Sequence, residues 1–328
     1  MKIVRDLEEV PSSRISPILS IGAYDGVHLG HQEIVRQVVQ RARPEYAAAV
    51  VLSFSPHPQK VVSPSDAPLL LQTASQRNGV LGSLEVDYLV EMPFTRQLSQ
   101  LSPDEFVSQV LMRGRPTEVH VGWNFRFGHK RSGDLSILEK LGQQHGFAVF
   151  SVPPVSVRGV RISSSKIRRL LAQGHVSRAA RFLGRPYQIL GTVVEGDARG
   201  RQIGFPTANL ETPNELIPAN GVYVGQVRIE GRLHPCLTNV GLRPTVQPAF
   251  KGRPLVESHI LDFESNIYGH QVELEFFAAL RPEKKFESLT VLTEQIRKDV
   301  SRARRYLERT RPALFVEEKL CPSAQTKS

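Results

Sequence analysis

The sequence predicts an α/β domain built on a doubly wound parallel sheet, followed by a small antiparallel β-barrel and one C-terminal helix. Three observations carry this. From Ile15 to Phe150 short apolar runs alternate with helical stretches. After Phe182-Leu-Gly-Arg-Pro186 that pattern gives way to alternation with period two, and a last stretch spaces apolar residues by three and four. A length of 328 residues fits two domains, since single cores rarely grow past about 250 residues. The expected division is residues 1–183 and 187–312, with 313–328 as a tail.

In chain order, Ile18–Ile21 reads as a strand, Gln32–Arg41 as a helix, Ala47–Phe54 as a strand, and the stretch around Ser75–Leu84 as a helix after a polar loop. Asp87–Val90, Glu118–Val121 and Phe147–Val152 continue as strands, apolar on both faces as strands covered by helices should be. Ser102-Pro-Asp-Glu105 opens a helix with a cap, a proline and two acids in its first turn. In the second half, Gly191–Glu195, Gly221–Ile229, Leu233–Val240, Leu255–Asp262 and Gln271–Ala279 alternate between Gly, Pro and Asn turns and read as barrel strands. Phe286, Leu289, Leu292, Ile296 and Val300 form the stripe of one amphipathic helix, which Arg311-Pro312 is expected to end.

The chain is 40% hydrophobic and 23% charged, too apolar for a disordered protein. It has no apolar run of about 18 residues that could span a membrane. Lys2, Arg5, Asp6, Glu8 and Glu9 interrupt the place where a signal peptide needs its apolar region, so no export is expected. Two cysteines, Cys236 and Cys321, are too few for a disulfide framework or a cysteine zinc site, and a reducing cytoplasm fits. The net charge is +10, with most of the cation excess before Arg185. A basic surface attracts polyanions, either nucleic acid or ATP and phosphorylated small molecules.

Gly22-Ala-Tyr-Asp-Gly-Val-His-Leu-Gly-His31 follows the first strand and runs into a helix. Its glycines let backbone approach a ligand, and His28 and His31 share one face beside the positive end of the helix dipole, a place that holds phosphates. No Gly-x-x-x-x-Gly-Lys-[Ser/Thr] loop occurs, so a nucleotide here would not sit in a Walker A cradle. Surface histidines, or a metal pair completed by His57, are the alternatives. Phe54-Ser-Pro-His57-Pro58 and Val121-Gly-Trp-Asn124-Phe125-Arg-Phe-Gly128 also follow strands, where open α/β sheets bind ligands. Arg161-Ile-Ser-Ser164-Ser165-Lys-Ile-Arg168 opens another helix, and between Arg158 and Arg169 there are five cations and no acid. Hydroxyls, N–H groups and guanidinium could converge there on one anion.

Beyond the boundary, Gly191 to Asn209 is dense in glycine, as in a loop that closes over phosphates or in ordinary barrel turns. Thr207 and Asn209 are neutral oxygen ligands at i and i+2 that could hold Mg²⁺ already bound to ATP.

The Asp25-Gly-Val-His-x-Gly-His31, Pro56-His-Pro58, Asn124-Phe-Arg-Phe-Gly128 and Ile162-Ser-Ser-Ser-x-Ile-Arg168 segments resemble the adenylyltransferase half of the bacterial bifunctional riboflavin kinase/FMN adenylyltransferases, the FAD synthetase family. Gly204-Phe-Pro-Thr-Ala-Asn209, Asn239-Val-Gly-Leu-Arg-Pro-Thr245 and Glu257-Ser-His-Ile-Leu-Asp262 with Tyr268-Gly269 resemble its riboflavin kinase half. The resemblance spans roughly residues 15 to 310. Departures are mild: Ala23 and Tyr24 replace a bulkier apolar residue and Phe, Ser165 stands for Thr, and Trp123 precedes Asn124.

The resemblance implies a Rossmann-like nucleotidyltransferase domain before a riboflavin-kinase barrel. The barrel would phosphorylate riboflavin to FMN, and the first domain would join AMP to FMN, giving FAD and pyrophosphate, both with Mg²⁺. Carried over, Gly22, Asp25, His28, His31, Asn124, Arg161, Ser164, Ser165 and Arg168 would hold ATP and phosphate in the first domain. His57, Pro58, Asn124 and Phe125 would hold its flavin. In the kinase, Gly191, Gly204, Pro206, Thr207 and Asn209 would bind ATP, with Thr207 and Asn209 as metal ligands. Glu257 matches the family's base, while Asp262 is expected on the opposite face of the same strand and Glu195 and Asp197 beside phosphates that they repel. Riboflavin, FMN, FAD and ATP are the implied partners, with no nucleic acid and no membrane; oligomeric state is left open. A basic nucleotidyltransferase-like domain joined to a nucleic-acid-binding barrel is the alternative, weakened by the few aromatics and the nearly neutral barrel half.

Overall fold

The computed structural model describes residues 1–11, 16–196, 200, 203–242 and 254–314. The chain folds as two units, Met1–Ser164 and Ser165–Ser328. The first unit is a six-stranded sheet in which every pair is parallel. Its strands are β1 (Lys2–Val4), β2 (Ile18–Ile21), β3 (Ala49–Ser55), β4 (Tyr88–Pro93), β5 (Glu118–Gly122) and β6 (Ala148–Val152), in the order β1-β4-β3-β2-β5-β6. The connections carry α1 (Leu29–Ala42), α2 (Pro58–Val62), α3 (Ala74–Ser83), α4 (Pro103–Gln109) and α5 (Leu135–His145).

Side chains of β3 alternate between two cores. Val50 and Leu52 join Phe106 and Leu138 from α4 and α5, whereas Ala49 and Val51 join Val35 and Val38 from α1. Both faces of the central strands are therefore covered, as a parallel sheet requires. The strand order reverses between β2 and β5, so the loops after these two strands flank the switch point where open α/β sheets bind ligands.

Two features of this unit depart from the sequence expectation. β1 is an edge strand too short for periodicity to reveal, held by pairing with β4. β6 is the opposite edge, and it exposes Ala148, Ser151 and a 39% accessible Phe150 instead of being covered on both faces.

A hairpin of β7 (Ser156–Val157) and β8 (Val160–Arg161) precedes α6 (Ser164–Ala172) and α7 (Val176–Leu183). α7 buries Val176, Ala179, Phe182 and Leu183 and packs on β9 (Tyr187–Val194) and β14 (Gln271–Arg281). The boundary between the units thus falls after Ser164, and α7 belongs with the barrel, although the sequence pattern changes only at 182–186. The remaining barrel strands are β10 (Ala208–Glu211), β11 (Gly221–Ile229), β12 (Arg232–Leu242) and β13 (Pro254–Ile260). They close in the order β10-β13-β12-β11-β14-β9, all antiparallel. β9 alternates as expected, with Tyr187, Ile189, Gly191 and Val193 buried.

β10 begins at the end of the glycine-rich segment and is not among the expected strands; its four residues are too few to show a period. The last helix, α8 (Leu289–Leu314), starts after Phe286, whose ring lies under the Arg281 guanidinium, and Leu289 is 65% exposed. The buried stripe is shorter than the spacing suggests: Val300, Ala303 and Leu307 pack on Val222, Val224 and Leu237. The helix also runs on past Arg311-Pro312 to Leu314. Residues 315–328, the bulk of the expected tail, lie outside the described residues.

The fully buried Asp299 of α8 accepts from Arg281 Nε at 2.8 Å and from Gln295 at 2.9 Å. Removing one member of a buried pair strands the other charge, so Asp299→Ala is expected to destabilise the barrel by about 3–5 kcal/mol. Urea denaturation measures it, and a midpoint equal to that of the unaltered chain would contradict the assignment.

Candidate active sites

In the first unit the loop between β2 and α1 is shaped by backbone that few side chains adopt. Tyr24 (φ 51°), Gly26 (φ 84°) and Val27 (φ 34°) are all left-handed, and a buried β-branched residue in that region is strained. Three anchors hold the loop. The Asp25 carboxylate accepts the Leu71 N–H at 2.9 Å, Gln32 Nε2 donates to the Val27 carbonyl at 2.8 Å, and the Ser164 hydroxyl donates to the Asp25 carbonyl at 2.9 Å. Gly22 gives its N–H to the Leu52 carbonyl at 3.1 Å, so both Gly22 and Asp25 contribute to the shape of the loop.

His28 caps α1: its Nδ1 accepts the His31 N–H at 3.3 Å, which leaves Nε2 as the protonated nitrogen of a neutral ring. A side chain at Gly30 would come within 3.2 Å of the His28 ring, so the glycine in His-Leu-Gly-His lets this ring fold over the helix start. The two imidazoles stack at 3.7 Å and 14°. Burial, and then the neighbouring His28, push the His31 pKa well below its usual value. Its buried Nδ1 has no hydrogen-bond partner among the described residues, which again favours the proton on Nε2. The pair thus sits at the positive end of a helix, with His31 held neutral by its burial.

The other segments of this unit gather at the same sheet edge. His57 caps α2 at the end of β3, accepting the Gln59 N–H at 3.3 Å, with Pro58 as the first helical residue. After β5, Asn124 is exposed, and Phe125 stacks on Phe127 at 5.5 Å and packs on the core. The Arg161 guanidinium lies 4.5 Å over the 43% exposed Trp123 ring, so this departure from the family pattern occupies the face of an expected phosphate ligand and leaves its N–H edge. Ser165 and Arg168 follow Ser164 on α6, within the second unit.

In the barrel, Asn209 of β10 lies directly opposite Glu257 of β13, which in turn lies opposite Asn239 of β12. Opposed residues of an antiparallel pair share a face. Val256, Ser258 and Ile260 point inward, which puts this row on the outer face. Gly191, in β9, lets β10 approach: a side chain there would lie 3.1 Å from Leu210 and 3.2 Å from the Glu211 carbonyl. Side chains at Gly196 or Gly200 would collide with the Asn209 amide or the Phe205 carbonyl, and Gly204 is left-handed (φ 81°). The glycines therefore bring the segment before β10 tightly around Pro206, Thr207 and Asn209. Asp197 and residues 243–245 of the expected kinase segments lie outside the described residues.

Asp262 corrects one expectation. β13 ends at Ile260, and Asp262 sits in the turn beyond it with φ 55°. Arg304 of α8 binds both its oxygens, at 2.7 and 2.8 Å, and holds its carboxyl below the ordinary range. Asp262 is thus committed elsewhere, by a helix distant in sequence and not by strand alternation.

Comparison with known proteins matches residues 11–166 to the family model described as FAD synthetase and residues 183–307 to that described as riboflavin kinase. A bifunctional riboflavin kinase/FMN adenylyltransferase of Pseudomonas fluorescens is 36% identical over 305 residues, covering 93% of this chain and 97% of that protein. The chain belongs to the bifunctional riboflavin kinase/FMN adenylyltransferase family. Its relative of the same description in Escherichia coli K12 is 34% identical over 95% of this chain and 100% of that protein. A crystal structure described as a macrolide-efflux protein of Streptococcus pneumoniae superposes with a TM-score of 0.83 at 30% identity, covering 92% of this chain and 98% of that one. Among the described residues no helix is long and apolar enough to cross a membrane.

For a family whose members use ATP, the metal question turns on donor chemistry. Thr207 and Asn209 are neutral oxygen donors, and among the described residues no cluster of three or more His, Cys, Asp or Glu could hold an ion by itself. Such donors suit a hard divalent cation that arrives on nucleotide phosphates. Sequence reasoning missed Ser20, whose hydroxyl bonds the buried Tyr24 hydroxyl under the first loop. It also passed over His259, although its place two residues after Glu257 puts both on one face of β13.

Proposed function

We propose that this enzyme makes FAD from riboflavin in two ATP-dependent steps, as the family's description implies. The barrel transfers the γ-phosphoryl group of ATP to the riboflavin 5′-hydroxyl. The α/β domain then joins AMP from a second ATP to the FMN phosphate, releasing pyrophosphate. Mg²⁺ is the metal for both, held in the kinase by Thr207 and Asn209 together with the phosphates. The observation that carries the reading is the outer row Asn209–Glu257–Asn239, which sets a carboxylate beside an expected metal ligand.

In the adenylylation step the nucleophile is already an anion, so no strong base is required. His28, His31, Asn124, Arg161 and Ser164 position two polyanions and stabilise charge on the departing pyrophosphate. Incubating the purified protein with riboflavin, ATP and Mg²⁺ and separating the flavins by chromatography tests the reading directly. FMN followed by FAD is expected, and unchanged riboflavin would refute it. A cytoplasmic location accords with this substrate set.

The site residues of the adenylyltransferase fall within 1–183 and those of the kinase within 187–312, while α7 packs with the barrel. Because α7 buries four apolar residues and packs on β9 and β14, a fragment from Ser165 is expected to phosphorylate riboflavin and to unfold at higher temperature than one from Pro186. Equal midpoints for the two fragments would show that α7 contributes nothing to the barrel.

A further inference from the structure

The geometry points to His259 as a positioning residue of the kinase site, one that fixes the peptide carrying Thr207. This inference rests on the kinase reading above. A carbonyl can only accept, so the 2.8 Å contact between His259 Nδ1 and the Pro206 carbonyl places the ring proton on Nδ1 and makes the histidine the donor. That carbonyl belongs to the planar Pro206–Thr207 peptide, so holding its oxygen also sets the direction of the Thr207 N–H and the position of its Cα, from which the side chain departs.

Two further contacts leave the segment little freedom. The His259 ring meets the Phe205 ring edge-on, with centroids 5.4 Å apart at 79°, and the Phe205 N–H donates to the Gly200 carbonyl at 2.8 Å. His259 and Glu257 alternate on the same outer face of β13, and Asn209 pairs opposite Glu257. One strand thus carries the carboxylate expected to accept the riboflavin proton and the ring that sets one of the two expected metal donors. The placing of Thr207 relative to Glu257 is then tied to β13 through His259.

The test uses the full chain with His259→Ala and His259→Asn, the second keeping an N–H near the place of Nδ1. For His259→Ala, the KM for ATP in riboflavin phosphorylation is expected to rise roughly five- to tenfold, the scale of one hydrogen bond to the loop, with a smaller change in kcat. Calorimetric titration with ADP and Mg²⁺, which involves no turnover, is expected to show a loss of affinity by a similar factor. His259→Asn should recover most of both, and adenylylation of supplied FMN should match the unaltered chain in each variant.

An alanine variant with unchanged KM and unchanged ADP affinity would overturn the inference. So would an asparagine variant that unfolds normally yet binds ADP no better than the alanine variant. Failure of the unaltered chain to phosphorylate riboflavin would instead overturn the kinase reading, and the ADP titration would still report on the Pro206–Thr207 segment.

Discussion

Glu257→Gln is expected to slow riboflavin phosphorylation by about 10²- to 10⁴-fold, the usual scale for loss of a general base. A primary alcohol is far from ionised at neutral pH, so phosphoryl transfer gains from an acceptor placed at its proton. Glu257 is half-buried on the outer face of the barrel, opposite both Asn209 and Asn239. Its rival Asp262 is bound by Arg304 through both oxygens, and Glu195 is exposed just past the end of β9. Glutamine keeps the size and a hydrogen-bonding oxygen but not the basicity. Steady-state phosphorylation is the measurement, with adenylylation of supplied FMN as an internal control that should not change. Near-normal kinase turnover would remove Glu257 from the chemistry and leave positioning and the metal as sufficient.

His28→Ala or His31→Ala is expected to lower FAD formation by about 10²- to 10³-fold, roughly 2.7–4 kcal/mol of transition-state stabilisation, while riboflavin is still converted and FMN accumulates. Each ring offers Nε2–H at the start of α1, and the two stack, so removing either also lets the other move. The stack has a consequence for stability. The pKa of His31 is depressed in the folded chain relative to the unfolded one, so the unfolded state binds the extra proton as pH falls through the ordinary histidine range. The contribution of the neutral ring to stability is complete above about pH 6.5 and is lost as pH falls below it. His31→Gln should flatten that part of the pH–stability curve. Loss of both enzymatic activities in a folded variant would point to a structural role for the pair.

The sequence by itself determined the two architectures, because helical and period-two spacing differ over stretches long enough to read. It also carried the candidate site residues, since the histidine pair, the Ser-Ser-Lys helix start and the Thr-Ala-Asn segment are local patterns. The role of Gly30 was half legible: the motif requires it, but only the fold brings the His28 ring within 3.2 Å of where its side chain would be.

What the tertiary structure decided is what depends on partners distant in sequence. β1 and β10 are strands because β4, β9 and β13 pair with them, and stretches of three or four residues carry no period of their own. β6 is exposed because it became an edge, which no property of Ala148–Val152 dictates. Asp262 was excluded by Arg304, forty-two residues away, and His259 gained its place from a carbonyl fifty-three residues earlier. Helix and strand propensities act over a few neighbours, whereas hydrogen bonds and ion pairs of this kind form only once loops have closed, so their partners are chosen by the fold.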